Sequence, residues 1–355
     1  MIKKVIALSV LVLFAAAAPS FGEFRDNLDV PSQMSKLAAS SPLLAVTRAG
    51  DRLVAAGQRG HILYSDDGGQ TWVQATVPVS SDLTGVYFPT PKKGWAVGHD
   101  GIVLSSDNGG TSWTKQLDGR QANRLLMESL EHKSKERKAS APDANLLEES
   151  KRFVEQGPDK PFLDVWFSDE KNGYVVGAFN LIFKTTDGGK TWESWFDRTD
   201  NPSRMHLYAI RPAGDMLYIA GEGGMLLKLD SAKQRFDRLQ SPYNGSFFGL
   251  VGKPGMVLAY GLRGNVFRSD NGGAIWQKVE VAVPAALVGG AVLRDGGIVL
   301  VSQSGQVLKS TDNGRSFRAV PVNRSMPLAA VVEAGSDKLL IVGLRGTRTI
   351  AANQP

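Results

Sequence analysis

Residues Gly57–Trp72 read GQRGHILYSDDGGQTW, and this pattern returns around the chain. GHDGIVLSSDNGGTSW closes at Trp113, GAFNLIFKTTDGGKTW at Trp192 and GEGGMLLKLDSAKQRF at Phe236. GLRGNVFRSDNGGAIW closes at Trp276 and SQSGQVLKSTDNGRSF at Phe317. A seventh copy opens with GLRGTRTIAA at Gly343 and ends before its aromatic. Successive closing aromatics are 41, 79, 44, 40 and 41 residues apart. A period near 40 built from short glycine-bounded apolar runs, such as GWAVG at 94–98 and GYVVG at 173–177, is that of a β-propeller with four strands per blade. The expected fold is therefore all-β, a seven-bladed propeller. The interval of 79 holds one period and an insertion, placed at about 118–160, between blades two and three. The seventh blade lacks an outer strand in this reading. A segment at about 25–36 is expected to supply it and close the ring, which removes sheet edges.

Two aspartates and two glycines in SDDGGQTW raise the question of catalysis or metal binding. The repeat answers it. Boxes on five different blades cannot converge on one substrate. An aspartate or asparagine side chain at this position accepts hydrogen bonds from turn N–H groups. The glycines permit positive φ, and the aromatic is suited to packing against a neighbouring blade. The alternating oxygen ligands and distal glutamate of a calcium-binding EF-hand loop are missing. No catalytic, metal or cofactor residue is assigned.

The remaining composition narrows the class. The chain has 355 residues, 39 glycines, no cysteine and a formal charge of +6, which falls to +4 without Lys3 and Lys4. Disulfides, thiolate metal sites and a lipid-anchored cysteine are excluded. Lys3 and Lys4, the apolar run Val5–Ala18 and the small residues after it read as an export signal over 1–22, leaving 23–355 as a single propeller domain. No concentrated basic stretch points to nucleic acid. The expected compartment is a periplasm, or a thylakoid lumen in a photosynthetic host, and a monomer is expected.

The boxes match the Asp-box, or BNR, repeat. Ser65, Asp67, Gly69, Thr71 and Trp72 fit it fully. Asn108, Gly110 and Trp113 form a second box and Asp187, Gly189 and Trp192 a third. Asn271, Gly273 and Trp276, then Asp312, Gly314 and Phe317, form two more, whereas LDSAKQRF is eroded. Together with GWAVG and GYVVG, these boxes resemble the photosystem II stability/assembly factor family, over about residues 43–350. The resemblance implies a non-enzymatic exported scaffold that binds a membrane protein complex or its newly made subunit, through arginines on one propeller face. Two alternatives are an accessory propeller of an envelope transport system in a non-photosynthetic bacterium and a sialidase-like glycoside hydrolase. The hydrolase needs a carboxylate-binding arginine cluster and a tyrosine–glutamate pair, and no RIP-type motif occurs near the start.

In a propeller, turns between second and third strands share a face with the blade-to-blade connectors. The variable residue of each G-x-x-G turn then lies there: Arg59, Asp100, Phe179, Gly223, Arg263, Ser304 and Arg345. Arg59, Arg263 and Arg345 are the expected partner-binding arc, with His61 and Arg348 adding charge nearby. Such an arc suits carboxylates on a partner. The insertion reads as two amphipathic helices around Leu126, Leu130, Leu147 and Phe153, broken at ASAPDAN, with Asp143 or Asn145 as a cap. Trp95, Trp166 and Tyr174 read as core. Trp195, three positions after Trp192, is expected to face the opposite side and to be exposed.

Overall fold

A computed structural model describes residues 25–136 and 141–352. The expected export signal at 1–22 and most of the break between the insertion helices lie outside the described residues, and the Asp143 side chain is also outside them. Seven antiparallel sheets follow one another in chain order. Six have four strands and the last has three, over Leu328–Gly335, Lys338–Gly343 and Gly346–Ala351. This is the seven-bladed propeller expected from the repeat. The first strand of every blade lines a narrow central channel, and the fourth lies at the rim.

Successive residues of a strand point to opposite faces of its sheet. In a closed ring each face meets another blade, so both are apolar. Seven hydrophobic clusters result, one for each junction between neighbouring blades. The second strands are buried along nearly their whole length, as in GWAVG and GYVVG. Blade one meets blade seven through Leu43, Leu53, Leu63, Leu340 and Val342. Among the described residues the ring closes by this packing.

That closure corrects one expectation. Residues 25–36 form no strand, and blade seven has three strands among the described residues. The segment instead crosses the rim of blade one. Ser32 N donates to Val77 O, Ser80 N to Asn27 O, and Gln74 exchanges hydrogen bonds with Ser35 N and Gln33 O. Asp29 pairs with Arg120 at 3.0 Å, which draws the segment toward blade two. Its backbone groups are satisfied by the connector of blades one and two, a partner invisible to strand periodicity.

The box turns carry the hydrogen bonds their sequence implies. Thr71 Oγ1 and Ser65 Oγ donate to Asp67 at 2.5 and 2.8 Å, Thr71 N donates to Asp67 at 2.9 Å, and Gly69 N donates to Ser65 Oγ at 2.9 Å. The last three of these bonds recur around Asn108, Asp187, Asn271 and Asp312. The first recurs at Asp187 and Asp312, whereas Asn108 Nδ2 donates to Ser112 Oγ and Ile275 has no hydroxyl. The Thr71 hydroxyl and N–H and the Ser65 hydroxyl hold the Asp67 carboxyl far below the usual carboxylate range. Ser316 does the same for Asp312. These carboxylates are occupied by their own turns.

Trp195 does face away from Trp192, but it is wholly buried. It lies between blades three and four, edge-on to Tyr174 and Phe236 at 5.2 and 6.3 Å, with Lys184 above it. The opposite side of a blade is another interior. Trp195→Ala should cost about 3–5 kcal/mol in urea unfolding at neutral pH; a loss under about 1 kcal/mol would contradict this packing.

A depressed carboxylate stabilises the fold fully above its unfolded pKa, near about pH 4, and that contribution fades as pH falls toward the folded value. Asparagine already serves at 108 and 271. The variant Asp67→Asn, Asp312→Asn should therefore fold, and its melting temperature should fall less than that of the parent between pH 5 and pH 2.5. Parallel acid profiles would refute the assignment.

Candidate functional site: the connector face

In blades one to five the turn at the G-x-x-G position reverses the chain with two consecutive residues in the left-handed region. Arg59, Asp100, Phe179, Gly223 and Arg263 have φ between 52° and 59°. This equivalence was visible in sequence spacing and is now visible in backbone geometry. The closing glycines have no room for a side chain. A Cβ on Gly60 would lie 2.2 Å from Val79 O, on Gly224 1.9 Å from Tyr243 O, and on Gly264 1.7 Å from Val283 O. Those carbonyls belong to the connectors leaving each blade, so turns and connectors share one face. Ser304 and Arg345 occupy the equivalent places in blades six and seven without the left-handed turn residue.

Arg59, Arg263 and Arg345 are exposed, and none forms an ion pair among the described residues. Arg59 N donates to Asp82 at 2.8 Å, which fixes the turn and leaves the guanidinium outside. Arg345 and Arg59 sit on adjoining blades, and Arg263 lies two blades before Arg345. Arg324 fills part of that gap. It is exposed on the blade six to seven connector, with φ 59°. Sequence alignment missed it because connectors lie outside the repeat. Leu262 and Leu344, each preceding an arginine in an LRG turn, are exposed, Leu344 by 57%. The face thus alternates cations with apolar side chains.

Two residues expected to add charge do other work. His61 is 5% exposed, and burial followed by the charge of Arg59 lowers its pKa, which favours the neutral ring. Its position at the start of a strand turns it beneath the 27–42 segment, where it lines a cavity with Met34, Leu37 and Arg59. Arg348 Nη1 donates to the carbonyls of Asn323 and Arg324 and fastens the connector carrying Arg324. Neither is an outward cation.

The insertion forms α1, Gly119–Glu136, and α2, Ala141–Gln156. It rises between blades two and three as expected, then lies against the connector face of blade three. Leu126, Leu130 and Phe153 join Phe162, Leu181 and Phe196 in one cluster. Asn123 Nδ2 bonds Phe153 O and Gly157 O at 2.7 and 2.9 Å, and Lys133 pairs with Asp197 at 2.7 Å. Arg204 and Glu149 form a further pair. From Phe153 an aromatic run crosses the face through Phe179, His206, Tyr208 and Phe248 to the channel mouth, with neighbouring centroids 4.7–6.3 Å apart. Phe179 is 46% exposed. These residues come from different blades and a helix, so no local motif announces them.

The channel below is small. Asp164 is buried there, accepts from Ile210 N at 2.8 Å and pairs with Arg211 at 2.5 Å. Burial pushes its carboxyl up, against the opposing pull of the guanidinium. The pair joins blades three and four across the first strands. Among the described residues, no group of three or more histidine or carboxylate side chains is arranged to hold a metal ion. Among the described residues, no helix is long and apolar enough to cross a membrane.

These features define an Asp-box propeller with a basic and apolar connector face. Residues 144–292 match the family model described as photosynthesis system II assembly factor YCF48, and residues 63–74 match the BNR/Asp-box repeat. Over that span the chain is similar to photosystem II assembly factors. It is 29% identical over 119 residues to the photosystem II assembly lipoprotein Ycf48 of Synechococcus sp. (strain CC9902), covering 32% of this chain and 35% of that protein. It is 28% identical over 88 residues to the chloroplastic photosystem II stability/assembly factor HCF136 of Oryza sativa subsp. japonica, covering 24% of this chain and 21% of that one. The matches therefore span about a third or less of these relatives. The structure titled YCF48 bound to D1 peptide has a TM-score of 0.62 at 16% identity, over 92% of this chain and all of that one. YCF48 from Cyanidioschyzon merolae has a TM-score of 0.63 at 14% identity, over 90% and 97%.

Because Phe153 is the insertion's deepest aromatic contact, Phe153→Ala should cost about 3 kcal/mol in urea unfolding. Amide exchange in α1 and α2 should rise more than in the blades. Uniform change across the chain would overturn the docked hairpin.

Proposed function

We propose that the chain is an exported, non-enzymatic binding scaffold for assembly or stabilisation of an integral-membrane complex. In this reading residues 1–22 are the export signal and 23–355 the working domain. The connector face holds an extended segment of a complex subunit, photosystem II D1 being the leading candidate in a photosynthetic host. The observation that carries the reading is the unpaired arc Arg59, Arg263 and Arg345 on one face of a fold whose solved neighbour is titled as bound to a D1 peptide. Arginine forks grip carboxylates bidentately. The exposed leucines beside them suit apolar residues between the carboxylates. Desolvation at such a mixed surface gives specificity more than raw affinity. The box carboxylates, tied to their own turns on separate blades, weigh against a glycosidase.

The arc is tested by Arg59→Glu, Arg263→Glu, Arg345→Glu. With a synthetic peptide of alternating acidic and apolar residues as probe, the parent should bind with a Kd that weakens as salt rises. The triple variant should bind at least tenfold more weakly while melting within about 2 °C of the parent, as exposed substitutions do. Binding that survives the reversal would remove the arc from the mechanism.

A further inference from the structure

Asparagine followed by glycine is prone to cyclise, because the missing Cβ lets the glycine N–H approach the asparagine side-chain carbonyl. Five such pairs occur in the chain: Asn108–Gly109, Asn172–Gly173, Asn244–Gly245, Asn271–Gly272 and Asn313–Gly314. Cyclisation needs both partners at liberty, so the hydrogen bonds made by each pair set their order of reactivity.

Four pairs are committed to the fold. Asn108 Oδ1 accepts from the Ser106 hydroxyl and Ser112 N, its Nδ2 donates to Ser112 Oγ, and Gly109 N donates to Lys92 O at 2.8 Å. Asn271 Oδ1 accepts from the Ser269 hydroxyl and Ile275 N. Asn172 Nδ2 donates to Asp169 at 2.9 Å, and Gly173 opens a strand that is paired on both sides. Gly314 N donates to Ser310 Oγ at 2.9 Å, and Asn313 O accepts from Arg268 Nε.

Asn244–Gly245 differs from all four. It is the tip of the connector between blades four and five. Asn244 is exposed, and neither its side chain nor Gly245 N forms a hydrogen bond among the described residues. The residues flanking the tip are fixed. The Tyr243 ring lies 5.6 and 5.8 Å from those of Phe247 and Phe267, and Tyr243 O accepts from Ser241 Oγ at 2.7 Å. Glycine is required at 245, where a Cβ would lie 2.1 Å from Tyr243 Oη. Ser246 O accepts from Leu262 N at 3.0 Å, and Tyr243 Oη donates to Leu262 O at 3.5 Å. These two contacts hold the tip against the turn that presents Arg263.

We propose that Asn244 is a site of spontaneous deamidation, which adds a carboxylate to the connector face beside Arg263. Gly245 N attacks the Asn244 side-chain carbonyl carbon, the amide C–N bond breaks, and ammonia leaves carrying the glycine's proton. The product is a five-membered succinimide. Water opens that ring at either carbonyl to give aspartate or isoaspartate, with one new negative charge. Water is the sole co-reactant. The consequence for binding rests on the scaffold reading above. An anion beside Arg263 repels an acidic partner, and salt screens that repulsion. The arc therefore loses cationic character as the molecule ages.

The test incubates the full chain at pH 8.5 and 37 °C and follows each Asn–Gly pair by peptide mapping and mass spectrometry. Asn244 should deamidate at least fivefold faster than any of the other four pairs, with isoaspartate among the products. Asn244→Gln should stay unmodified at this position over the same time, since glutamine needs a six-membered ring. Deamidation led by another pair, or an intact Asn244 when others have reacted, overturns the proposal. The product is mimicked by Asn244→Asp, which should melt with the parent. It should bind the synthetic peptide of alternating acidic and apolar residues at least twofold more weakly at low salt, and the difference should vanish at high salt. Equal binding at low salt overturns the consequence for the arc. A parent that binds no such peptide overturns the scaffold reading instead, while the mapping still decides the chemistry of Asn244.

Discussion

An aromatic wedge between neighbouring sheets is the contact on which the rest depends. Each box aromatic begins an outer strand and packs toward the preceding blade, while the box turn behind it is held by its own aspartate or asparagine. The turn sets the direction of the ring and the ring sets the spacing of the blades. Repeated in five blades, a local hydrogen-bond motif becomes a closed architecture. Closure then makes both faces of every sheet interior, which is why the second strands are apolar without alternation.

Function is displaced by the same construction. The carboxylates that look reactive in the sequence face their own turn N–H groups and hydroxyls. Chemistry available to a partner is left to the opposite face, where the left-handed turns present Arg59, Phe179 and Arg263 outward. A turn residue at positive φ is an economical display device, since its backbone is fixed by the connector pressed against the following glycine. The insertion adds a second layer there, and its Phe153 starts an aromatic path to the channel mouth.

Where sequence reading went astray, the missing information was contact across the ring. His61 was counted as a surface charge because its turn faces outward; a segment remote in spacing covers it. Trp195 was placed correctly on the far side of its strand and wrongly in solvent, because in a propeller the far side belongs to the next blade. Residues 25–36 had the length and position of a closing strand. Their hydrogen bonds go to Val77 and Gln74, and Asp29 to Arg120, groups that no periodicity brings together.

The sequence by itself determined the repeat, the number of blades, the turn chemistry and the equivalence of Arg59, Arg263 and Arg345, because each rests on interactions between residues a few positions apart. Tertiary structure alone decided which cations form no ion pair among the described residues, that Arg324 joins their face, where the helices lie and that residues 25–36 cross blade one instead of pairing with blade seven. Those outcomes depend on which side chains and backbone groups meet across blade junctions, and such meetings are set by ring closure and not by spacing along the chain.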